Sequence, residues 1–106
     1  MSFPTGGFFN IEKVVEIPYN LEYGGFRRLL LTGRVDFGIV KMGDILCIPL
    51  KSGMHYHQRI HGIQLMRDQL NEATPDNNTV SLVFRSPEVK TEDIKTDLAY
   101  VMPLAY

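Results

Sequence analysis

Gly38 and Gly43 bracket the segment Ile39-Val40-Lys41-Met42 between two strand-like stretches, Gly33-Arg34-Val35-Asp36-Phe37 and Ile45-Leu46-Cys47-Ile48. Glycine takes positive φ at no steric cost, so the chain can turn sharply, run a few residues and turn again. The spacing predicts a strand, a tight corner and a second strand. Asp44 follows the second glycine, where its carboxylate can accept backbone hydrogen bonds.

The same alternation extends to both sides. Met1 to Gly7 reads as a loose leader, followed by Phe8-Phe9 as a first anchor. Over 10–17, Ile11, Lys13, Val15 and Ile17 fall on one strand face, and Glu12, Val14 and Glu16 on the other. Pro18 to Gly25 reads as a connection, ended by a glycine pair that permits reversal. Phe26 to Asp36 is apolar on both faces, as a central strand is. Ile45 to Leu50, Met54 to Met66, Thr79 to Arg85 and Leu98 to Met102 complete six strands. Arg67 to Asn78 reads as a polar connection, since an isolated helix there would bury only Leu70. Thr91-Glu92-Asp93-Ile94 suits one helical turn with Thr91 as its N-cap.

Six short strands separated by turn signals predict an all-β, six-stranded closed barrel of Greek-key type. Closure would also leave no exposed strand edge. The expected core is Ile11, Leu29, Leu31, Val35, Ile45, Cys47, Ile63, Val80, Leu82 and Leu98. A chain of 106 residues, 44% hydrophobic and 22% charged, suits one domain over 1–106 with a single core.

Composition narrows the function. The net charge is −1 and the pI about 6.3, unlike chains that hold nucleic acid through many phosphate contacts. Any RNA contact must be local, with Arg27, Arg28, Arg34, Arg59, Arg67 and Arg85 as the basic candidates. No Gly-x-x-x-x-Gly-Lys-Ser/Thr loop occurs, so no GTP binding by the chain itself is expected. No run of about 20 apolar residues or secretory leader is found, which makes a soluble, cytoplasmic protein without membrane contact the expectation. Cys47 is the single cysteine and sits in an apolar run, which suits a buried, inert thiol.

His55, His57, Arg59 and His61 occupy alternate positions. On a strand, a His-x-His pair can chelate a transition metal. A solvated polar face is the simpler reading, since no carboxylate or thiol stands nearby and Arg59 would repel a cation. No metal or other cofactor is expected. Neither a nucleophile with its base nor a helix-borne metal motif appears, so the chain is expected not to be an enzyme.

Gly33-Arg34-Val35 followed by Gly38-Ile39-Val40-Lys41-Met42-Gly43-Asp44 resembles the second domain of translational GTPases, the β-barrel after the GTPase domain in elongation factor Tu. Ile11 to Ile17 resembles that barrel's opening strand, and Gly62 to Arg67 its fourth. Leu70-Asn71-Glu72, Val80 to Arg85 and Leu98 to Val101 follow in the family's order, so the likeness covers nearly the whole chain.

The resemblance implies a binding role, because in elongation factor Tu this barrel carries part of the pocket for the aminoacylated 3′ end of tRNA. Glu12 matches a pocket glutamate, Thr32 a pocket threonine, Asn78 an asparagine near the aminoacyl group, and Arg85 an arginine approaching the acceptor end. Gln64 stands for the glutamate that meets the terminal ribose, keeping hydrogen-bonding reach without charge assistance. Lys13 replaces an aspartate and would repel a protonated α-amino group. Val15 replaces a phenylalanine, removing an aromatic platform.

Two readings follow from the sequence. One is a module that binds an RNA end, such as a tRNA 3′ end, or a ribosomal component. The other is a protein-interaction or self-assembly module, a homo-oligomer or a partner of another protein, using Phe3, Phe8, Phe9, Tyr19, Tyr23 and Phe26 as an interface.

Overall fold

A computed structural model describes residues 6–17, 27–85 and 87–102. The described residues form β-strands and two single turns of 3-10 helix, over Pro75–Asn77 and Thr91–Asp93. Among them no helix is long and apolar enough to cross a membrane. The strands are β1 (Phe8–Ile17), β2 (Arg28–Phe37), β3 (Val40–Lys41), β4 (Ile45–Pro49), β5 (His55–Arg59), β6 (Gly62–Leu65), β7 (Asp68–Leu70), β8 (Glu72–Ala73), β9 (Thr79–Arg85) and β10 (Leu98–Val101).

Eight of them make one antiparallel sheet in the order β5-β4-β10-β1-β2-β9-β6-β7, and β3 pairs with β8 apart from it. The fold is therefore all-β as expected, but the sheet is not closed into a six-stranded barrel, since no ladder joins its end strands β5 and β7. The physical cause lies at Ile60-His61. The expected single strand from Met54 to Met66 is broken there: the Ile60 N–H donates to the Asp44 carbonyl at 2.8 Å, and the His61 N–H to the Val83 carbonyl at 2.8 Å. One stretch of chain thus pairs with β4 in its first half and β9 in its second. The first half pairs only with β4, and the second lies between β9 and β7, so no ladder closes the sheet. The Gln58 side chain crosses the seam and donates to the Arg85 carbonyl at 2.8 Å.

Gly38 (φ 72°) and Gly43 (φ 94°) are the two corners the spacing predicted. Between them β3 buries Val40, and the Asp44 carboxylate accepts from the Lys41 N–H at 2.9 Å. Gly7 is tied down on both sides: its N–H donates to the Ile39 carbonyl, and its own carbonyl accepts from the Val101 N–H.

Phe9, Ile11, Leu29, Leu31, Val35, Leu46, Ile48, Ile60, Ile63, Val80, Leu82 and Phe84 fill the interior. Eight of the ten expected core residues are buried; Ile45 and Leu98 lie on the outer face, and Leu46, Ile48, Ala99 and Val101 point inward instead. A one-residue slip of register reverses a strand's faces. In β1 the reversal happens inside the strand. A bulge between Ile11 and Lys13 leaves Phe9 and Ile11 inside, then turns Lys13, Val15 and Ile17 outward and packs Val14 on the core.

The polar connection over 67–78 holds β7, β8 and the Pro75–Asn77 turn, which Thr74 and Asn77 cap reciprocally. At Thr91–Asp93 the N-cap position belongs to Lys90, without a side-chain capping bond, rather than to Thr91. The Pro18–Gly25 connection lies outside the described residues.

Candidate functional site

Residues paired across antiparallel strands share a face, so the register alone assembles a surface from distant sequence. Lys13 pairs with Thr32, Thr32 with Ser81, Ser81 with Gln64, and Gln64 with Gln69. These five residues form one polar row across β1, β2, β9, β6 and β7. Lys13, Gln64 and Gln69 are exposed, and Thr32 and Ser81 half-buried. Adjacent strands lie about 4.8 Å apart, which puts Thr32 and Gln64 about 10 Å from each other. Glu12 joins the row beside Lys13, as the extra residue of the bulge, and is exposed.

The Thr32 and Ser81 hydroxyls are 2.9 Å apart and share one hydrogen bond. That bond uses one hydroxyl hydrogen, leaving the other hydrogen and several lone pairs for a ligand. The row therefore offers neutral donors and acceptors at its centre and one charge of each sign at its β1 end.

The five residues matched by resemblance do not form one constellation. Glu12, Thr32 and Gln64 converge on the row; Asn78 and Arg85 flank β9 at opposite ends, about 23 Å apart along an extended strand. Asn78 is exposed, with φ 60°, and ends the Pro75–Asn77 turn. Arg85 pairs with Arg28 and lines a cleft of about 440 Å³ together with Met42, Gly43, Gln58, Arg59, Ile60 and His61. The Arg59 guanidinium donates to the Gly43 carbonyl at 2.6 Å in the same place. Among the described residues that line it there is no acid.

Sequence reasoning missed Ser81 and Gln69. Ser81 alternates with Val83 and Arg85 on the expected fifth strand, so its face was readable once Arg85 had been placed; Gln69 had no such signal. His55, His57 and His61 are exposed, and among the described residues no three His, Cys, Asp or Glu side chains gather as a metal shell. Cys47 is buried. Tyr100 stands opposite it on the neighbouring strand, and hydrogen bonding to Cys47 comes first in holding that phenol above its ordinary 10.0.

Of the aromatics proposed as an interface, Phe9 is fully buried core and Phe8 half-buried on the outer face. Phe3, Tyr19, Tyr23 and Phe26 lie outside the described residues.

Asp97, just before β10, accepts from the Leu98 N–H at 2.8 Å and pairs with Lys95 at 3.3 Å. The backbone bond first, and Lys95 second, hold its carboxyl below the ordinary 3.8. A carboxyl lowered by folding contributes stability that is complete above its unfolded pKa and is lost as pH falls through the folded one. Acid unfolding followed by circular dichroism should accordingly show a component below about pH 4 that Asp97→Asn removes. Identical acid profiles for the two chains would exclude it.

No protein-family profile matches the sequence, and no curated protein matches it either. Among solved structures, translation elongation factor SelB from Methanococcus maripaludis in its apo form is similar to 90% of this chain, with a TM-score of 0.65 and 19% identity. The fold is similar to that of a domain of an elongation factor Tu-like translational GTPase. This chain spans 18% of the SelB chain, so the likeness concerns one part of that larger protein. It agrees with the all-β, second-domain architecture that the Gly33 to Asp44 stretch suggested.

Proposed function

We propose that this chain is a non-catalytic binding module of the translation-factor type, which holds the 3′ end of an RNA against the outer face of its sheet. The observation that carries the reading is the polar row. Glu12, Thr32 and Gln64 come from three separate stretches of sequence and stand on one solvent-facing line across the sheet. None of the three is needed to fill the core.

The chemistry suits a terminal nucleotide. The Thr32–Ser81 hydroxyl pair and the Gln64 amide match ribose hydroxyls and base edges, which are neutral donors and acceptors. Lys13 at the β1 end disfavours a protonated α-amino group, so an RNA end without its amino acid fits better than an aminoacylated one. Arg85 stands four residues from Ser81, about 13 Å along the strand, on the side of the row away from Arg34, where it can reach the last phosphate of a bound end. The translation machinery is the natural source of such a partner.

Fluorescence anisotropy with a short RNA ending in CCA tests this. Arg85→Ala should weaken binding by about 1–3 kcal/mol and reduce the salt slope by about one unit. Thr32→Val should weaken it at unchanged slope, because a hydroxyl releases no counterion. No RNA binding by the wild-type chain, or equal affinity and slope for all three chains, would refute the reading.

A further inference from the structure

We infer that Phe37, Phe8 and Tyr100 form a stacking platform for unpaired bases of the same RNA, upstream of its 3′ end; this rests on the RNA-end reading above. The three rings come from β2, β1 and β10, where Phe8 pairs with both Phe37 and Tyr100. The Phe8 ring centroid is 6.2 Å from that of Phe37 and 6.4 Å from that of Tyr100, with the planes tilted by 50° and 52°. His55 extends the line, its ring 6.2 Å from Tyr100. Phe37 is 65% exposed and Tyr100 37%.

The core does not use these rings. It is filled from the opposite face by their neighbours Phe9, Val35, Ala99 and Val101. Aromatic rings set on adjacent strands of an open sheet face are the arrangement on which unpaired bases stack, because every base offers a π-face.

Size separates this occupant from a protein. With Leu98 beside them, the exposed parts of the rings amount to roughly 300–400 Å². A stable protein interface takes about 800 Å² from each partner. Two or three bases need far less.

Position and charge point the same way. Along β2 the outer face runs from Thr32 through Arg34 to Phe37, so an exposed guanidinium stands between the polar row and the strip. The strip begins about 17 Å from the row, which places it several nucleotides before the bound end. Arg34 can meet a phosphate on the way. Asp36, the extra residue of the β1–β2 bulge beside Phe37, is acidic and exposed, so recognition at the strip falls to stacking rather than to phosphate contacts.

Two RNAs separate this inference from the reading it rests on: the trinucleotide CCA, too short to reach the strip, and an unpaired octanucleotide ending in CCA. In anisotropy titrations Phe37→Leu should weaken the octanucleotide about tenfold and leave the trinucleotide unchanged. The salt slope should stay constant, whereas Arg34→Gln should lower it by about one unit. Octanucleotide binding that is unaffected by Phe37→Leu, or no tighter than that of the trinucleotide, overturns the platform while leaving the end reading intact. An octanucleotide lacking CCA that binds as tightly, and is still lost in Phe37→Leu, supports the platform and sinks the end reading. A wild-type dimer in sedimentation that Phe37→Leu splits, without RNA binding, overturns the platform in favour of a second copy of the chain.

Discussion

Gly33→Ala should lower stability by about 2–4 kcal/mol, measured as an earlier urea midpoint at unchanged slope. A Cβ at Gly33 would stand 1.9 Å from the Asn10 carbonyl oxygen and 3.1 Å from the Glu12 nitrogen. Those are backbone atoms of β1, which no side-chain rotation can clear. Either the β1–β2 pairing opens there or the bulge at Glu12 moves, and the bulge is what sets Glu12 beside Lys13 in the polar row. Gly43→Ala is the matched control. A Cβ there meets nothing within 4 Å, so only the positive φ penalises it, by about 1–2 kcal/mol. Equal losses in the two variants would show that the close strand crossing has no energetic weight.

Phe9→Ala should cost about 3–5 kcal/mol, and Phe8→Ala about 1 kcal/mol or less. Phe9 is fully buried among Ile11, Val35 and the rest of the interior, and its removal leaves a cavity that the strands cannot close. Phe8, one residue earlier, lies on the other face with its ring against Phe37 and Tyr100. Adjacent phenylalanines thus separate the two faces of the sheet. Denaturation of both variants in parallel measures the difference, and a larger loss for Phe8→Ala would reverse the assigned faces. An assembly role for Phe9 would predict a folded, dissociated variant rather than a destabilised one.

Much of the architecture is readable from residues, and its failures have identifiable causes. Thr79–Arg85 appears with its expected bounds because Val80, Leu82 and Phe84 alternate cleanly with Ser81 and Arg85. In β1 alternation misleads beyond Ile11, since the bulge depends on how closely Gly33 crosses, a long-range contact that periodicity does not contain. Ile45 and Leu98 were expected inside because each opens an apolar run; in such runs sequence cannot choose between the faces. The Thr74 capping box is hidden by Asn77 standing where glutamate or glutamine is the usual signal. The loss of closure at Ile60-His61 follows from a change of pairing partner, which has no local signature.

The site was legible to a lesser degree. Glu12, Thr32 and Gln64 were found through resemblance, and their shared row depends on the registers of three separate ladders. Asn78 and Arg85 came from the same resemblance but sit at the two ends of one strand. The aromatic strip is invisible in the sequence because its rings come from positions 8, 37 and 100, and only the registers of two ladders bring them together.

The Ile60-His61 link also bears on how the molecule yields. In an ordinary open sheet the end strands are its weakest members and can fray independently. Here two consecutive peptide groups between β5 and β6 are held on opposite sides, one by Asp44 ahead of β4 and the other by Val83 in β9. Releasing β5 from β4 pulls on the residues that hold β6 against β9, and the reverse is equally true. The sheet behaves as a strap buckled through its own chain: β5 and β6 peel together or not at all, and the cleft beside Arg85 keeps its shape for as long as the buckle holds.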